Sequence, residues 1–224
     1  MKRVVILWIS VVFGTIVLLA QAPVPVSQEP SHHLKFENQQ IKVYDVVVAP
    51  THSTLFHIHA NDYAFVVFGD AQLMAQKFGG QEQPMNVRDG DVNYTPATLI
   101  HRIRNTGTTT FHNLTIEFLG TTPTPKSLPP LTSGQFSKVA LENNRIRIVR
   151  LNLKPGQSTG MHTHSSTALA IAVSEGDLRV EYPNKSPETV HTTPGFFVWR
   201  DQAVTHSLTN IGKTDFQSVD IEVK

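Results

Sequence analysis

Histidines are the residues of this chain whose spacing points to chemistry. Two H-x-H pairs occur, and a third histidine follows 44 residues after the first member of each pair. In a β-strand, residues two apart project from the same face, so each pair directs two imidazoles to one side. Three neutral imidazoles can hold a metal ion and leave coordination positions open, as catalytic sites do. The candidate ligands are His57, His59 and His101, and His162, His164 and His206.

The amino-acid composition excludes several kinds of site and partner. The 224 residues include 11 histidines and no cysteine, which excludes disulfides, thiolate metal sites and cysteine nucleophiles. The net charge is +1, from 19 basic and 18 acidic residues, and no basic stripe is interleaved with aromatics. We therefore expect no nucleic-acid partner. The other five histidines have no histidine counterpart in the other copy and are predicted to be solvated surface residues: His32, His33, His52, His112 and His191. Weak metal binding by His32 and His33, without much consequence, is the alternative.

The N-terminus has the pattern of an export signal. Lys2 and Arg3 precede an uncharged apolar run, and Ala20-Gln21-Ala22 fits a signal-peptidase site. Pro23 would directly follow the cleavage site, where proline is unfavourable. Residues 1–22 are therefore either a signal peptide or an anchor. We expect the rest of the chain to be periplasmic, secreted or held on the outer side of a membrane. Residues 23–35 are proline-rich and predicted to be a tether.

The chain contains two copies of one unit. A shift of 105 residues places 36–119 on 141–224 without a gap, and both the histidines and the turn residues coincide. An ungapped match of this length indicates a duplicated folding unit. The segment 120–140 between the copies is rich in proline and predicted to be a linker.

Each copy has the pattern of an all-β fold. Runs rich in β-branched residues, such as 41–48 and 146–153, alternate with turns that contain glycine, proline or asparagine. Many short strands at such spacing favour a sandwich or barrel. Glu117 and Glu222 recur in the last strand, out of step with its apolar residues, and are predicted to be solvent-facing or structural.

The motifs of both copies resemble those of the cupin superfamily, specifically of its two-domain members, the bicupins. The second cupin motif reads G-x5-P-x-G-x2-H-x3-N. In the first copy Gly90, Pro96, His101 and Asn105 fit it, with Thr98 in place of glycine. In the second copy Gly195, His206 and Asn210 fit, but Asp201 and Ala203 replace proline and glycine. The resemblance implies two tandem cupin barrels, which are double-stranded β-helix or jelly-roll-like, behind the signal segment.

The first cupin motif, G-x5-H-x-H-x3,4-E-x6-G, lacks its glutamate in both copies. Leu169 or Ala168 stands at that position in the second copy, and Ala64 or Tyr63 in the first. Asp62 is one residue short, and its counterpart is Thr167, so it is not counted as a ligand. The resemblance implies a divalent metal, and the loss of a carboxylate favours Fe, Zn or Cu over Mn.

Two functions of different classes remain open from the sequence. The chain is either a metal-dependent enzyme, of oxygenase or Lewis-acid type, or a non-catalytic module that binds a small molecule or metal. A small organic ligand is the expected partner, membrane contact is expected only through residues 1–22, and a homodimer is compatible with the sequence. The pocket walls are predicted to be apolar, formed by Ala64, Val66 and Phe68 and by Leu169, Ile171 and Val173.

Overall fold

The computed structural model describes residues 22–120, 128, 130 and 134–224, and the predicted signal or anchor segment lies almost entirely outside them. Within the described residues, no helix is both long and apolar enough to cross a membrane. The chain forms β-strands connected by turns, with short 3₁₀ turns at Val26–Gln28 and Gly134–Phe136. The fold is therefore all-β, as predicted.

Among the described residues, ten strands lie before residue 120 and nine lie after residue 136. The first ten are β1 (Val24–Pro25), β2 (His32–Glu37), β3 (Ile41–Val48), β4 (His57–His59), β5 (Asp62–Phe68), β6 (Ala71–Lys77), β7 (Glu82–Val87), β8 (Val92–Thr95), β9 (Leu99–Asn105) and β10 (Phe111–Phe118). The other nine are β11 (Ser137–Glu142), β12 (Ile146–Leu153), β13 (His162–His164), β14 (Ala168–Ala172), β15 (Gly176–Glu181), β16 (Glu188–Thr192), β17 (Phe197–Arg200), β18 (Val204–Asn210) and β19 (Phe216–Val223).

Each copy contains two sheets, which makes two tandem barrels. In the first barrel the strand orders are β1-β4-β9-β6-β7 and β2-β3-β10-β5-β8, and in the second they are β13-β18-β15-β16 and β11-β12-β19-β14-β17. The pairings are antiparallel except that of β1 with β4. The predicted tether differs from the structure, since β1 and the start of β2 join the sheets of the first barrel.

The largest hydrophobic cluster lies between the two barrels. Alternate residues of β3, β5 and β10 pack against alternate residues of β12, β14 and β19, because side chains on a strand alternate between its two faces. Its members include Ala64, Val66 and Phe68, and Leu169, Ile171 and Val173. The prediction that these six form the pocket walls is therefore wrong, although Ile171 also borders a cavity.

The opposite faces of these strands enclose the barrel interiors. In the first barrel Tyr44, Val46 and Val67 lie in a separate buried cluster, and in the second Leu153 and Ala172 do so. The long strands have apolar residues on both faces, one for the barrel and one for the contact between barrels. For this reason their hydrophobic pattern alone does not identify the interior.

The asparagines of the second motif fix one turn in each barrel. The Asn105 side chain is fully buried, and its amide donates hydrogen bonds to the carbonyls of Val48 (2.9 Å) and Thr109 (2.8 Å). Its Oδ1 accepts a hydrogen bond from the amide of Gly107. Asn210 makes the equivalent bonds in the second barrel. These asparagines hold the strand that carries the third histidine.

Candidate metal sites

Strand pairing brings the three predicted histidines of the first barrel together. β4 runs antiparallel to β9 in a register that places His57 opposite His101, and His59 follows on the same face of β4. The ring centroids of His57 lie 4.5 Å from His101 and 5.0 Å from His59, and those of His59 and His101 are 5.3 Å apart. The sequence spacing and the sheet register thus produce one cluster.

The second barrel repeats this arrangement. β13 runs antiparallel to β18, with His162 opposite His206. The three ring centroids are separated by 4.7 to 5.1 Å. The Nε2 atoms of His162 and His164 approach to 2.9 Å. The two nitrogens therefore point toward each other, and the three histidines offer nitrogens within 4.8 Å of one another, within reach of one shared cation.

Burial favours the neutral form, which is the form that binds metal, at five of these six imidazoles. Burial first, and the charges of neighbouring histidines second, lower the pKa of His57 and of His59 to about 3 and that of His101 to about 2. In the second barrel burial is again the main cause, and it lowers the pKa of His164 to about 4 and of His206 to about 3.

Hydrogen bonds orient the rings toward the centre of each cluster. The Nδ1 of His57 donates to the Leu55 carbonyl at 2.9 Å, and that of His162 donates to the Gly160 carbonyl at 2.9 Å. Their Nε2 atoms are therefore the ones that carry a free lone pair. Among the described residues, the buried Nε2 atoms of His57, His101 and His206 have no hydrogen-bond partner. Unpaired buried nitrogens of this kind fit metal ligation.

A fourth histidine joins the first cluster. His32 was predicted to be a solvated surface residue, and that prediction is wrong: its side chain is only 5% exposed. One nitrogen from each of His32, His57 and His59 lies within 4.8 Å of the other two. The neighbouring His33 is exposed, as predicted. The repeat did not distinguish His32 from the other unmatched histidines, because its counterpart in the second copy is Ser137.

Carboxylates of the last strand of each barrel lie beside the histidines. Glu117 is 3% exposed, and its Oε1 lies 3.4 Å from His59 Nδ1. Glu222 is also buried but forms an ion pair with Arg147. Of the two predicted alternatives, solvent-facing is wrong, because the faces of β10 and β19 that carry these glutamates point into the barrels. The ion pair of Glu222 with Arg147 agrees with the other alternative, a structural role.

A different carboxylate takes the equivalent place in the second barrel. Asp220 Oδ2 lies 4.0 Å from His164 Nδ1 and accepts a hydrogen bond from Arg200 Nη2 at 2.6 Å. Burial raises the pKa of the Asp220 carboxyl, but Arg200 and the nearby histidines hold it below its usual value. Asp220 is therefore a carboxylate whose charge lies close to the His164 ring, at a distance beyond a direct hydrogen bond.

No carboxylate occupies the position of the usual cupin glutamate. In the first barrel Tyr63 stacks on His59, with centroids 4.0 Å apart, while Ala64 faces the other barrel. Asp62 accepts hydrogen bonds from the Tyr94 hydroxyl (2.6 Å) and the Ala97 amide (2.8 Å). Asp62 thus has a structural role, in agreement with its exclusion as a ligand.

Each cluster borders a cavity. That of the first barrel has a volume of about 510 Å³ and is lined by all four histidines together with Tyr63, Phe65 and Met85. That of the second is about 710 Å³ and includes Arg147 and Arg200 beside its three histidines. Both volumes fall in the range of small-molecule sites, about 300–1,000 Å³.

Comparison with known proteins identifies the fold. No family model matches the chain, and no curated protein matches it. Among solved structures it is similar to AerE from Microcystis aeruginosa, with 17% identity over 90% of this chain and 98% of that one and a TM-score of 0.66. A cupin 2 conserved barrel domain protein from Leptotrichia buccalis is 12% identical over 86% and 88% of the two chains, with a TM-score of 0.54.

An enzyme with a known ligand is also similar. Salicylate 1,2-dioxygenase from Pseudoaminobacter salicylatoxidans, in a variant crystallised with gentisate, is 13% identical, with a TM-score of 0.62. The match covers 89% of this chain and 76% of that one. The motif position of the usual glutamate is held by other residues in both barrels. Together with the paired sheets and the two histidine clusters, these similarities show that the chain has the cupin fold in its two-domain form.

Proposed function

We propose that this protein binds a divalent transition metal in each barrel and uses the second site to act on a small organic anion. The observation that carries the proposal is the convergence of buried, neutral imidazoles whose unpaired nitrogens face a cavity. A donor set of histidines suits Zn²⁺, Cu²⁺ or Fe²⁺ better than Mn²⁺. When bound, such a metal supplies either Lewis-acid polarisation or a site for O₂.

The second cavity offers a charged group that would recognise a carboxylate. The Arg200 side chain is 9% exposed, and its Nη2 is bound to Asp220. Its Nε has no hydrogen-bond partner among the residues that the structure describes. A buried guanidinium with an unused donor favours an anionic ligand. The similarity to a dioxygenase crystallised with gentisate, an aromatic carboxylate, supports the same class of substrate.

The residues around the second cavity would then have distinct roles in binding the metal and the ligand. His162, His164 and His206 hold the metal, and Asp220 places its charge beside the His164 ring while it fixes Arg200 in place. The cavity also has apolar lining, from residues such as Leu178, Val180 and Phe216, which limits the access of water to a bound ligand.

A binding module without turnover is the second candidate, and one observation favours it. The two acidic side chains beside the second cluster are both paired with arginine, Asp220 with Arg200 and Glu222 with Arg147. Both carboxylates are thus occupied by an arginine, and neither is an obvious proton donor to a ligand. An oxygenase would not need such a donor, whereas a hydrolytic or isomerising enzyme generally would.

The test begins with metal content. Protein purified without a histidine tag is analysed by mass spectrometry, and we expect near two equivalents, with His57→Ala and His162→Ala each losing about one. Metal-loaded protein is then incubated with salicylate, gentisate and aliphatic carboxylates while O₂ uptake and products are followed. Product that requires metal supports the enzyme, whereas a thermal shift without product supports the binder. The absence of metal after reconstitution with Fe²⁺, Zn²⁺ and Cu²⁺ would refute both.

Arg200 is tested in the same assay. We expect Arg200→Gln to abolish the response to carboxylates and to leave metal content unchanged. Arg179→Gln is the control, because Arg179 is exposed and its ion pair in the described part of the chain is with Glu181 at 2.9 Å. Equal responses from the two variants would show that Arg200 does not recognise the ligand.

We also propose that the protein is exported. The support is the basic start of the chain followed by an uncharged apolar run and a cleavage-like Ala20-Gln21-Ala22. Cell fractionation of the full-length protein, with N-terminal sequencing of the mature form, tests this. Recovery in the cytoplasm with an intact N-terminus would refute it.

A further inference from the structure

The N-terminal segment before β2 is built into the first barrel. β1 pairs in parallel with β4, with Val24 beside His57, and the Val24 amide donates to the Phe56 carbonyl at 2.9 Å. Val26 is 4% exposed and packs in the core of that barrel. The pairing of β1 with β4 and the burial of Val26 therefore both hold this segment to the first barrel, just before the turn that leads to His32.

Glu29 is the polar centre of this segment. It is 3% exposed, and its Oε2 accepts hydrogen bonds from His32 Nδ1 at 2.6 Å and from the Ser31 amide at 2.8 Å. Its Oε1 accepts a hydrogen bond from the Leu55 amide at 3.1 Å. Burial raises the pKa of Glu29, but the hydrogen bond and charge of His32, with the two amides, bring it below its usual value. Glu29 is thus a buried carboxylate.

The carboxylate decides which nitrogen of His32 faces the cluster. A carboxylate only accepts hydrogen bonds, so Nδ1 of His32 carries the hydrogen and Nε2 is the nitrogen left for another partner. The His32 ring centroid lies 4.7 Å from that of His57 and 6.0 Å from that of His59, and the ring lines the same cavity. A carboxylate that orients an imidazole in this way is a common arrangement around bound metals.

We propose that His32 is a fourth metal ligand of the first barrel, with Glu29 as its positioning residue. This inference rests on the proposed binding of metal by the histidine clusters. The fourth nitrogen comes from the strand before the duplicated H-x-H motif, not from the position of the missing motif glutamate. In this site the nitrogens that lie within 4.8 Å of one another belong to His32, His57 and His59. His101 would be the remaining ligand, with its ring centroid 4.5 Å from that of His57, and Glu29 would hold the His32 ring through its hydrogen bond.

The second barrel lacks both residues. Ser137 occupies the register of His32, since His32 pairs with Val46 and Ser137 with the corresponding residue of β12, Leu151. Gly134 stands in the place of Glu29. The two sites therefore differ in their protein ligands, four against three. Sites with four protein ligands are typically closed and structural, whereas those with three keep a position open for substrate. The first barrel would hold its metal tightly, and the second would carry the chemistry.

The test measures metal affinity of the first site alone. All proteins carry His162→Ala and His206→Ala, and Zn²⁺ affinity is determined by competition with a chromophoric chelator, with Co²⁺ absorption as a second readout. We expect His32→Gln to weaken Zn²⁺ binding at least about 10–100-fold, since loss of an outer-shell partner alone has that effect. Glu29→Gln should weaken binding less. His33→Gln is the matched control, since His33 is exposed on the same strand, and it should change nothing.

The outcomes separate this inference from the proposed function. If His57→Ala loses the metal while His32→Gln behaves like His33→Gln, with unchanged affinity and Co²⁺ spectrum, His32 is not a ligand and the inference fails. If His57→Ala also retains the metal, the proposed histidine site itself fails. Circular dichroism of the metal-free proteins checks folding. A second variant, His32→Gly, should regain the Co²⁺ spectrum when imidazole is added, and a lack of rescue in the folded protein would contradict ligation by His32.

Discussion

Replacement of Thr98 by glycine should stabilise the protein. Thr98 stands where the second cupin motif has glycine, and its φ is +70°. A left-handed conformation costs a residue with a Cβ about 1–2 kcal/mol, and β-branched residues tolerate it worst. Glycine removes this cost but loses about 0.5–1 kcal/mol more conformational entropy on folding. The difference predicts a net gain of about 0–1.5 kcal/mol for Thr98→Gly, which also loses the exposed hydrogen bond from the Thr98 hydroxyl to the Ala97 carbonyl.

The second barrel supplies the control for this substitution. Ala203 is the counterpart of Thr98 and does not adopt a positive φ. Ala203→Gly has no strain to relieve and should cost about 0.5–1 kcal/mol through the entropy of glycine. The two substitutions should therefore change stability in opposite directions, although they restore the same motif residue.

Unfolding of the metal-free proteins by urea measures both changes. A thermal scan gives a second measure, because about 1 kcal/mol shifts the Tm of a protein of this size by roughly 2–4 °C. The Thr98 amide also donates to the His59 carbonyl at 2.8 Å, a backbone contact that glycine retains. If Thr98→Gly lowers stability as much as Ala203→Gly, the backbone at Thr98 is not strained and the reasoning is refuted.

Three further predictions concern the motif residues and the clusters. Asn105→Ala should destabilise the protein by about 2–4 kcal/mol, because it leaves buried backbone groups unpaired, whereas exposed Asn86→Ala should have little effect in the same urea titration. Glu117→Gln should weaken Zn²⁺ binding about 10-fold or more, as measured by chelator competition, because Glu117 lies beside His59. Glu222→Gln should instead lower stability, because it breaks the pair with Arg147. Equal effects of the two substitutions on Zn²⁺ affinity would contradict their different roles. The metal-free protein should lose stability as the pH falls below about 6.5, because unfolded histidines then take up protons that the folded ones, with the pKa of His57 lowered to about 3, do not. A Tm that stays constant down to about pH 4 would contradict this last prediction.

The histidine clusters could be predicted from local spacing, because the period of a strand fixes the side on which two residues two apart project. The duplication made the third histidine recognisable, since His101 and His206 recur at the same distance from each pair. Motif glycines and asparagines likewise indicated turns, as at Gly90, with φ of +74°, and at Asn105.

The choice of interior face could not be predicted in the same way. Strand β5 carries Val66 toward the other barrel and Val67 toward its own interior, and both side chains are fully buried. When both faces of a strand are apolar, alternation no longer distinguishes them. Glu117 lies on the face of β10 that points into the barrel, and the sequence could not identify that face. For this reason the expectation of a solvent-facing Glu117 was wrong.

The sequence by itself determined the two all-β units, the two H-x-H pairs and the third histidine of each, because these depend on local periodicity and on repetition along the chain. Tertiary structure alone decided that His32 joins the first cluster and that the two barrels differ. The pairing of Val24 with His57 holds the segment whose following turn places His32, bound to Glu29, at the cavity. This pairing joins residues 33 positions apart (57 − 24), and no periodicity in the sequence encodes it.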